Sequence, residues 1–93
     1  MPFSYVFYDI PDDNLRRKVS EALKDYGLQR LQKSVFCGYL TYNKAHELSL
    51  ILDDLIGDEE ADVRIIFVPN SFVDKVIIIR EMYSIDAREV IIV

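Results

Sequence analysis

The chain has 93 residues, of which 51% are hydrophobic and 29% are charged, and its formal net charge at pH 7 is −5. A chain of this length and composition is expected to form one globular domain, 1–93, with a core at 1–80 and a C-terminal strand extension at 81–93. No apolar run approaches the length of a membrane helix and no leader opens the chain, so we expect a soluble cytoplasmic protein without a membrane partner.

The sequence pattern predicts six elements in chain order: a strand at 3–10, a helix at 12–26, strands at 28–36 and 38–41, a helix at 43–56 and a strand at 63–68. Asp12 or Asp13 caps the first helix, and Gly27 ends it. A hairpin turn at Cys37-Gly38 joins the second and third strands. This β-α-β-β-α-β order predicts an α+β, ferredoxin-like fold.

Two continuous apolar runs follow these elements, Val76-Ile-Ile-Ile79 and Val90-Ile-Ile-Val93. A strand that is apolar on both sides needs cover on both sides, whereas the two helices of this fold cover only one face of its sheet. We therefore expect a homodimer in which these extra C-terminal strands cross onto the other subunit. The alternative is that they pair within one subunit.

The charge is distributed unevenly along the chain. Residues 14–46 carry seven basic and two acidic side chains, whereas residues 51–93 carry four basic and ten acidic ones. A locally basic surface binds phosphate even when the average charge is negative. The alternative is a solvated helix face without a ligand.

Asp9 stands at the end of the first strand, directly before the strand-ending segment Ile10-Pro11. A carboxylate in this position is solvated, paired or bound to a cation, because burying an isolated charge is costly. Strand alternation predicts that Asp9, Arg30, Ser34 and Phe36 share the helix-free face, while Leu31 and Val35 join Val6 and Ile10 in the helix-covered core. If two subunits meet through that face across a two-fold axis, their Asp9 carboxylates approach each other, and a divalent cation between them relieves the repulsion.

The alternative for Asp9 is a carboxylate that only caps a loop or helix. The chain has one cysteine, Cys37, and one histidine, His46. These are too few ligands for a metal site of the zinc-finger type, which is therefore excluded. Cys37 is expected to be a small buried side chain, and His46 to lie on a helix surface.

Several short motifs together resemble CRISPR-associated protein two, the small spacer-adaptation protein that works beside the CRISPR integrase. These motifs are Tyr8-Asp9-Ile10, Asp13-Asn-Leu-Arg16-Arg17-Lys18, Tyr26-Gly27-Leu28, Arg30-Leu-Gln-Lys-Ser34-Val-Phe36-Cys-Gly38 and Val63-Arg-Ile-Ile-Phe-Val-Pro69. The resemblance extends over the whole chain, including its length and its order of elements.

The resemblance implies a ferredoxin-like homodimer in which Asp9 of both chains shares one magnesium or manganese ion. It also implies a metal-dependent endonuclease of RNA or double-stranded DNA, or a DNA-binding bridge for the integrase during CRISPR spacer acquisition. The catalytic residues implied are Asp9, Arg16, Arg30, Tyr8 and Phe36. The nucleic-acid-binding residues expected are Arg16, Arg17, Lys18, Arg30, Lys33 and Ser34.

Two other function classes use the same order of elements. An RNA-recognition module without catalysis would use Phe3, Tyr5 and Phe7 as a stacking platform. The third predicted strand, Gly38-Tyr-Leu-Thr41, lacks the basic-Gly-aromatic signature of that class. A ligand-sensing regulatory domain would need an effector domain, which this chain does not offer.

Overall fold

A computed structural model describes residues 1–83 and the backbone of residues 91 and 92. Its elements are β1 (Phe3–Asp9), α1 (Asp13–Asp25), β2 (Gln29–Gln32), β3 (Val35–Tyr39), α2 (Tyr42–Ile56), β4 (Asp62–Val68), a 3-10 turn (Asn70–Phe72), β5 (Ile77–Ile78) and β6 (Ile91–Ile92). The first six elements follow the predicted β-α-β-β-α-β order, so the α+β, ferredoxin-like prediction is confirmed.

The four main strands form one antiparallel sheet in the order β2-β3-β1-β4. Tyr5 is central in this sheet, between Cys37 of β3 and Ile66 of β4. The antiparallel register places the end of β1, the turn between β2 and β3, and the start of β4 at the same end of the sheet. We call this the Asp9 end.

Both helices begin at a side chain that accepts a backbone hydrogen bond. An Asp12 carboxylate oxygen accepts the Leu15 N–H at 2.8 Å, and the Thr41 hydroxyl accepts the Lys44 N–H at 3.1 Å. These bonds satisfy donors that a helix start otherwise leaves without partners. The structure therefore selects Asp12 from the two predicted caps of α1.

One face of the sheet packs against both helices and forms the main core. Val6 and Phe36, paired between β1 and β3, are completely buried there, together with Leu48 of α2. The other members are apolar residues of the strands, helices and connections: Tyr8, Ile10, Leu15, Val19, Leu23, Leu28, Leu40, Ala45 and Leu52.

The opposite, helix-free face carries a second, smaller apolar cluster. Phe3, Cys37 and Val73 are buried in it, and Tyr5, Leu31 and Tyr39 pack against them. Phe7 and Ile66 are 39% and 50% exposed. Alternation along β1 and pairing with β4 place both on this face. The sheet is thus apolar on both faces while its helices cover one.

The predicted hairpin turn at Cys37-Gly38 is wrong. The chain turns at Lys33-Ser34, and Gly38 lies inside β3. Gly38 has a φ of +157°, which residues with a Cβ atom rarely adopt, and a Cβ atom there would lie 2.9 Å from Leu28 Cδ2, so this position favours glycine. Glycine is typical of turns, and this explains the wrong prediction, because here the glycine lies within a strand.

The predicted face of Arg30, Ser34 and Phe36 is also corrected. Arg30 pairs with Phe36, and Phe36 pairs with Val6, so Arg30 and Phe36 share the helix-covered side. Ser34 lies in the turn. Leu31 packs with the helix-free cluster instead of the helix-covered core. Val35 joins it on that face, because it pairs with Phe7. Aliphatic character did not distinguish the two faces, because both are apolar.

The C-terminal strands form a separate parallel pair. Ile77 pairs with Ile91, and Ile78 with Ile92, within one chain. This pairing corresponds to the intrasubunit alternative for the two apolar runs. Residues 84–90 and 93, which belong to the predicted extension, lie outside the described residues, and strand exchange between subunits stays a prediction.

Across the described part of the chain, neither helix is long and apolar enough to pass through a lipid bilayer.

We predict that Phe36→Ala lowers the free energy of unfolding by about 3–5 kcal/mol, because it empties a large volume in a tightly packed core. The matched control is Phe72→Ala, at a position 57% exposed, which should change stability by less than about 0.5 kcal/mol. Denaturant titration of both variants measures the difference. Equal stability of the two variants would contradict the placement of Phe36 in the core.

Candidate functional site

The Asp9 side chain is exposed at the last position of β1. Within residues 1–83 it has no hydrogen-bond or ion-pair partner. Asp9 pairs in register with Asp62, the first residue of β4. Directly opposite residues share a face with Cα atoms about 4.5–5.5 Å apart, so two carboxylates meet at the Asp9 end on the helix-free face.

Asp62 differs from Asp9 because it has a strong partner within its own strand. Its two carboxylate oxygens accept hydrogen bonds from Arg64 Nε at 2.8 Å and Nη2 at 3.0 Å. This two-point contact lowers the pKa of Asp62. The neighbouring negative charge is therefore largely balanced, and Asp9 remains available for another cation.

Asp62 and Arg64 are not among the predicted site residues, because the predicted strand begins at residue 63 and leaves Asp62 outside it, whereas β4 begins at Asp62. The signal that identifies them is topological. In the predicted order of elements, the last strand runs antiparallel to the first, so the start of β4 must lie beside the end of β1. The strand that begins beside Asp9 therefore begins with Asp62.

One chain provides few metal ligands. Throughout the described residues, no group of three or more histidine, cysteine, aspartate or glutamate side chains gathers at one point. The exposed oxygens of Asp9 suit a hard cation such as magnesium, which keeps much of its water and takes one or two carboxylates. The described residues of one subunit thus supply only part of the ligands of such a coordination shell.

A second group of side chains surrounds the Lys33 carbonyl in the turn between β2 and β3. The Tyr8 hydroxyl donates to this oxygen at 3.2 Å, and Arg30 Nη1 donates to it at 2.6 Å. The backbone N–H of Tyr8 also donates to the Ser34 carbonyl at 3.0 Å. These bonds hold the turn against β1 and fix where the exposed Lys33 side chain begins.

The Phe36 and Tyr8 rings pack next to Arg30, one of the residues that hold this turn. The Arg30 guanidinium lies 4.9 Å from the centre of the Phe36 ring, which itself stacks on Tyr8 with a 6.2 Å separation between centroids. Burial raises the pKa of Tyr8, and the positive charges of Arg30 and Arg16 oppose that rise. Arg30, Arg16 and Tyr8 therefore form one electrostatic cluster.

The basic residues of α1 divide into engaged and free side chains. Arg16 donates to the Ile10 carbonyl at 3.1 Å and forms an ion pair with Asp13. Arg17 is held on the helix surface by Glu21 and Asn14, each at 2.9 Å. Lys18 is exposed and has no hydrogen-bond or ion-pair partner among residues 1–83.

The structure therefore brings together four of the five predicted catalytic residues, Tyr8, Arg16, Arg30 and Phe36, on the helix-covered side. Asp9 shares the same end of the sheet but projects from the opposite face of β1. Phe36 is completely buried and has no surface for a substrate. Its contribution is to support Arg30 and Tyr8.

Two further sequence expectations concern side chains outside this region. Cys37 is buried, and burial raises the pKa of its thiol to about 11, which confirms a small apolar role. His46 is exposed on α2, as predicted.

Comparison with known proteins gives a family match over residues 1–76, to the family described as CRISPR associated protein Cas2. A relative from Desulforudis audaxviator, named CRISPR-associated endoribonuclease Cas2, is 50% identical over 64% of this chain and 57% of its own. The chain thus spans little more than half the length of that relative. A crystal structure of Cas2 has a TM-score of 0.74 at 27% identity, and the match covers 91% of this chain and 94% of that one.

Two other similar proteins bear names that include Cas1. A protein from Thermoproteus tenax, named as a fusion of endonucleases Cas1 and Cas2, is 35% identical over 74% of this chain and 26% of its own length. A chain in a partial Cas6-RT-Cas1–Cas2 complex matches with a TM-score of 0.72 at 22% identity, over 94% of this chain and 96% of that one, and shows the fold alone.

Tyr8→Phe is expected to lower the free energy of unfolding by about 0.5–1.5 kcal/mol, since the Lys33 carbonyl loses one of its two side-chain donors. Thermal or denaturant unfolding measures this loss. The control is Tyr42→Phe on the exposed start of α2, where we expect a change within about 0.5 kcal/mol. Equal effects of the two substitutions would show that the Tyr8 hydroxyl does not hold the turn.

Proposed function

Since the chain belongs to the family of CRISPR-associated Cas2 proteins, we propose that it is a homodimeric adaptation protein that binds nucleic acid. The observation that carries this proposal is the Asp9 end of the sheet, where a carboxylate without a partner among residues 1–83 and a basic cluster lie on opposite faces of the same strand. The relatives' names extend the proposal to a nuclease and to a partnership with an integrase.

The dimer is proposed to form through the helix-free face. Phe7 and Ile66 are exposed there beside the cluster of Phe3, Cys37 and Val73. Covering such a surface stabilises association by roughly 25 cal/mol for each Å² of apolar area removed from water. Asp9 lies on this face, so a two-fold axis near the end of β1 brings two Asp9 residues towards each other.

We propose that the two Asp9 carboxylates hold one magnesium or manganese ion between the subunits. When bound, such an ion polarises a phosphoryl oxygen and lowers the pKa of water. The two Asp9 residues fix its place in the dimer, and the Asp62–Arg64 pair limits the additional negative charge beside them.

The basic residues at the same end are proposed to position the nucleic acid. Arg30 uses one nitrogen on the Lys33 carbonyl, so its remaining N–H groups are oriented for phosphate oxygens. Arg16 bonds the Ile10 carbonyl with one terminal nitrogen and Asp13 with the other, so a phosphate competes with Asp13 for it. Lys18 and Lys33 add exposed positive charge on either side. Arg17 likewise has both terminal nitrogens engaged, by Glu21 and Asn14 within α1, so Arg30 is the stronger candidate of the three arginines.

Tyr8 and Phe36 are proposed as positioning residues in this arrangement. The Tyr8 hydroxyl and Arg30 both donate to the Lys33 carbonyl, and the Phe36 ring lies against the Arg30 guanidinium. Ser34 contributes the turn itself through its carbonyl. None of these contacts requires the side chains to touch a reacting atom.

A scaffold role is compatible with the same surfaces. A dimer that carries a basic cluster on each subunit supports double-stranded DNA along its length, because phosphate contacts position a duplex without reading its sequence. The proposed integrase partner would then be bridged by this dimer. Cleavage and scaffolding differ in whether Asp9 is required for phosphodiester hydrolysis.

The alternative of an RNA-recognition module is disfavoured by the state of its platform. Phe3 is buried in the cluster with Cys37 and Val73, and Tyr5 is half-buried against that cluster. A base-stacking surface needs open ring faces along the strand. Here the rings of Phe3 and Tyr5 contact each other edge to face, with 5.4 Å between centroids.

We predict that Asp9→Asn reduces magnesium- or manganese-dependent cleavage of labelled single-stranded RNA or double-stranded DNA by about a hundredfold or more. The physical reason is that a catalytic metal contributes several kcal/mol to stabilising the transition state, and each 1.4 kcal/mol corresponds to a factor of ten. The measurement is cleavage by the dimer with either metal or with a chelator.

The control is Asp25→Asn, which removes an exposed carboxylate at the far end of α1 and should leave the cleavage rate unchanged. Cleavage that survives both chelation and Asp9→Asn would rule out the metal mechanism. A stable dimer that binds DNA but does not cleave would restrict the proposed function to scaffolding.

A further inference from the structure

The outer surface of α2 near its C-terminus carries apolar side chains that the chain itself does not cover. Leu50 is 59% exposed and Ile51 is 40% exposed. On a helix, Asp53 and Asp54 follow Leu50 by one turn and therefore lie beside it on the same surface. We call Leu50, Ile51, Asp53 and Asp54 the α2 patch.

The carboxylates of this region have no cationic partners. Asp58, Glu59 and Glu60 follow α2 in an exposed loop, and in the described part of the chain none of them, nor Asp53 or Asp54, forms an ion pair. Asp13, Glu21, Glu47 and Asp62, by comparison, have basic partners. Two acidic side chains thus lie one turn from Leu50, and three more follow in the loop after α2, none of them in an ion pair within the described residues.

This arrangement is unfavourable for the isolated helix. The C-terminus of a helix carries a partial negative charge, which basic side chains stabilise and acidic ones do not. The last turn of α2 contains no basic residue, while Asp53 and Asp54 stand there. Asp53 and Asp54 are therefore repelled by the negative end of the α2 dipole, and a cationic surface placed over the patch would offset this repulsion.

The charge of the patch selects among possible occupants. A second copy of the same patch would bring two sets of carboxylates together, and nucleic acid or an anionic membrane would add further negative charge. A protein surface with arginine or lysine around an apolar centre is complementary in both respects. The patch also ends at the Asp9 end, since α2 leads directly to the start of β4.

We infer that the α2 patch is a docking surface for a basic, partly apolar surface of the integrase subunit, an inference that rests on the proposed function. Leu50 and Ile51 would supply the buried centre of the contact. Asp53, Asp54 and the following acidic loop would form a charged rim that speeds association and orients the partner.

The test measures binding of the full-length chain to the Cas1-family protein encoded in the same genome, by calorimetric titration. Two variants weaken the proposed contact in different ways: Asp53→Lys reverses a rim charge, and Leu50→Gln removes the apolar centre. The matched control is Asp25→Lys, which makes the same charge change in the last turn of α1, at the opposite end of the sheet. Light scattering confirms that each variant keeps the wild-type dimer.

We expect about a tenfold loss of affinity for Asp53→Lys and for Leu50→Gln, and less than about a twofold change for Asp25→Lys. Wild-type affinity should fall as salt rises, and more steeply than that of Asp53→Lys. Binding of both patch variants at wild-type affinity would overturn the docking surface while leaving the integrase partnership intact.

Two other outcomes would also overturn the inference. If the wild type does not bind the integrase, the proposed partnership and this docking surface both fail. If Asp53→Lys or Leu50→Gln dissociates the homodimer, the patch belongs to a contact between copies of this chain instead.

Discussion

The four-stranded sheet is apolar on both faces, but the two helices cover only one of them. Val6 and Phe36 are completely buried beneath the helices, whereas Phe7 and Ile66 on the other face are substantially exposed. Apolar surface of this kind is stabilised by a second layer. The requirement for cover explains why the proposed function begins with a homodimer and why the position of Asp9 matters.

The Asp9 end of the sheet separates two kinds of chemistry by strand alternation. Asp9 and Asp62 lie on the helix-free face, where a second subunit is proposed, and Arg30 and Tyr8 lie on the helix-covered side around the Lys33 carbonyl. One strand thus carries the carboxylate proposed to bind metal on one face, and on the other it supports the basic groups proposed to bind phosphate. The two groups meet only at the end of β1.

The order of elements and both helices were predictable from periodicity, caps and glycines, whereas the faces of the strands were not. Leu31 and Val35 are aliphatic, and aliphatic character alone places them in the helix-covered core. Because both faces of this sheet are apolar, aliphatic character does not identify the face of a strand residue. Gly38 shows a second limit of prediction from sequence. A glycine inside a strand, packed against Leu28, is not distinguished by sequence from a glycine in a turn. Asp62 was missed because its importance comes from long-range pairing with Asp9, which local pattern does not contain.

The central claim is that Asp9 acts as one of a pair across the homodimer, and the most direct test is the stoichiometry of metal binding. Titration of the purified dimer with manganese, followed by electron paramagnetic resonance, counts bound ions without any cleavage assay. The account predicts one ion for every two chains, and loss of that binding in Asp9→Asn with the dimer intact. One ion per chain, or unchanged binding in Asp9→Asn, would contradict it.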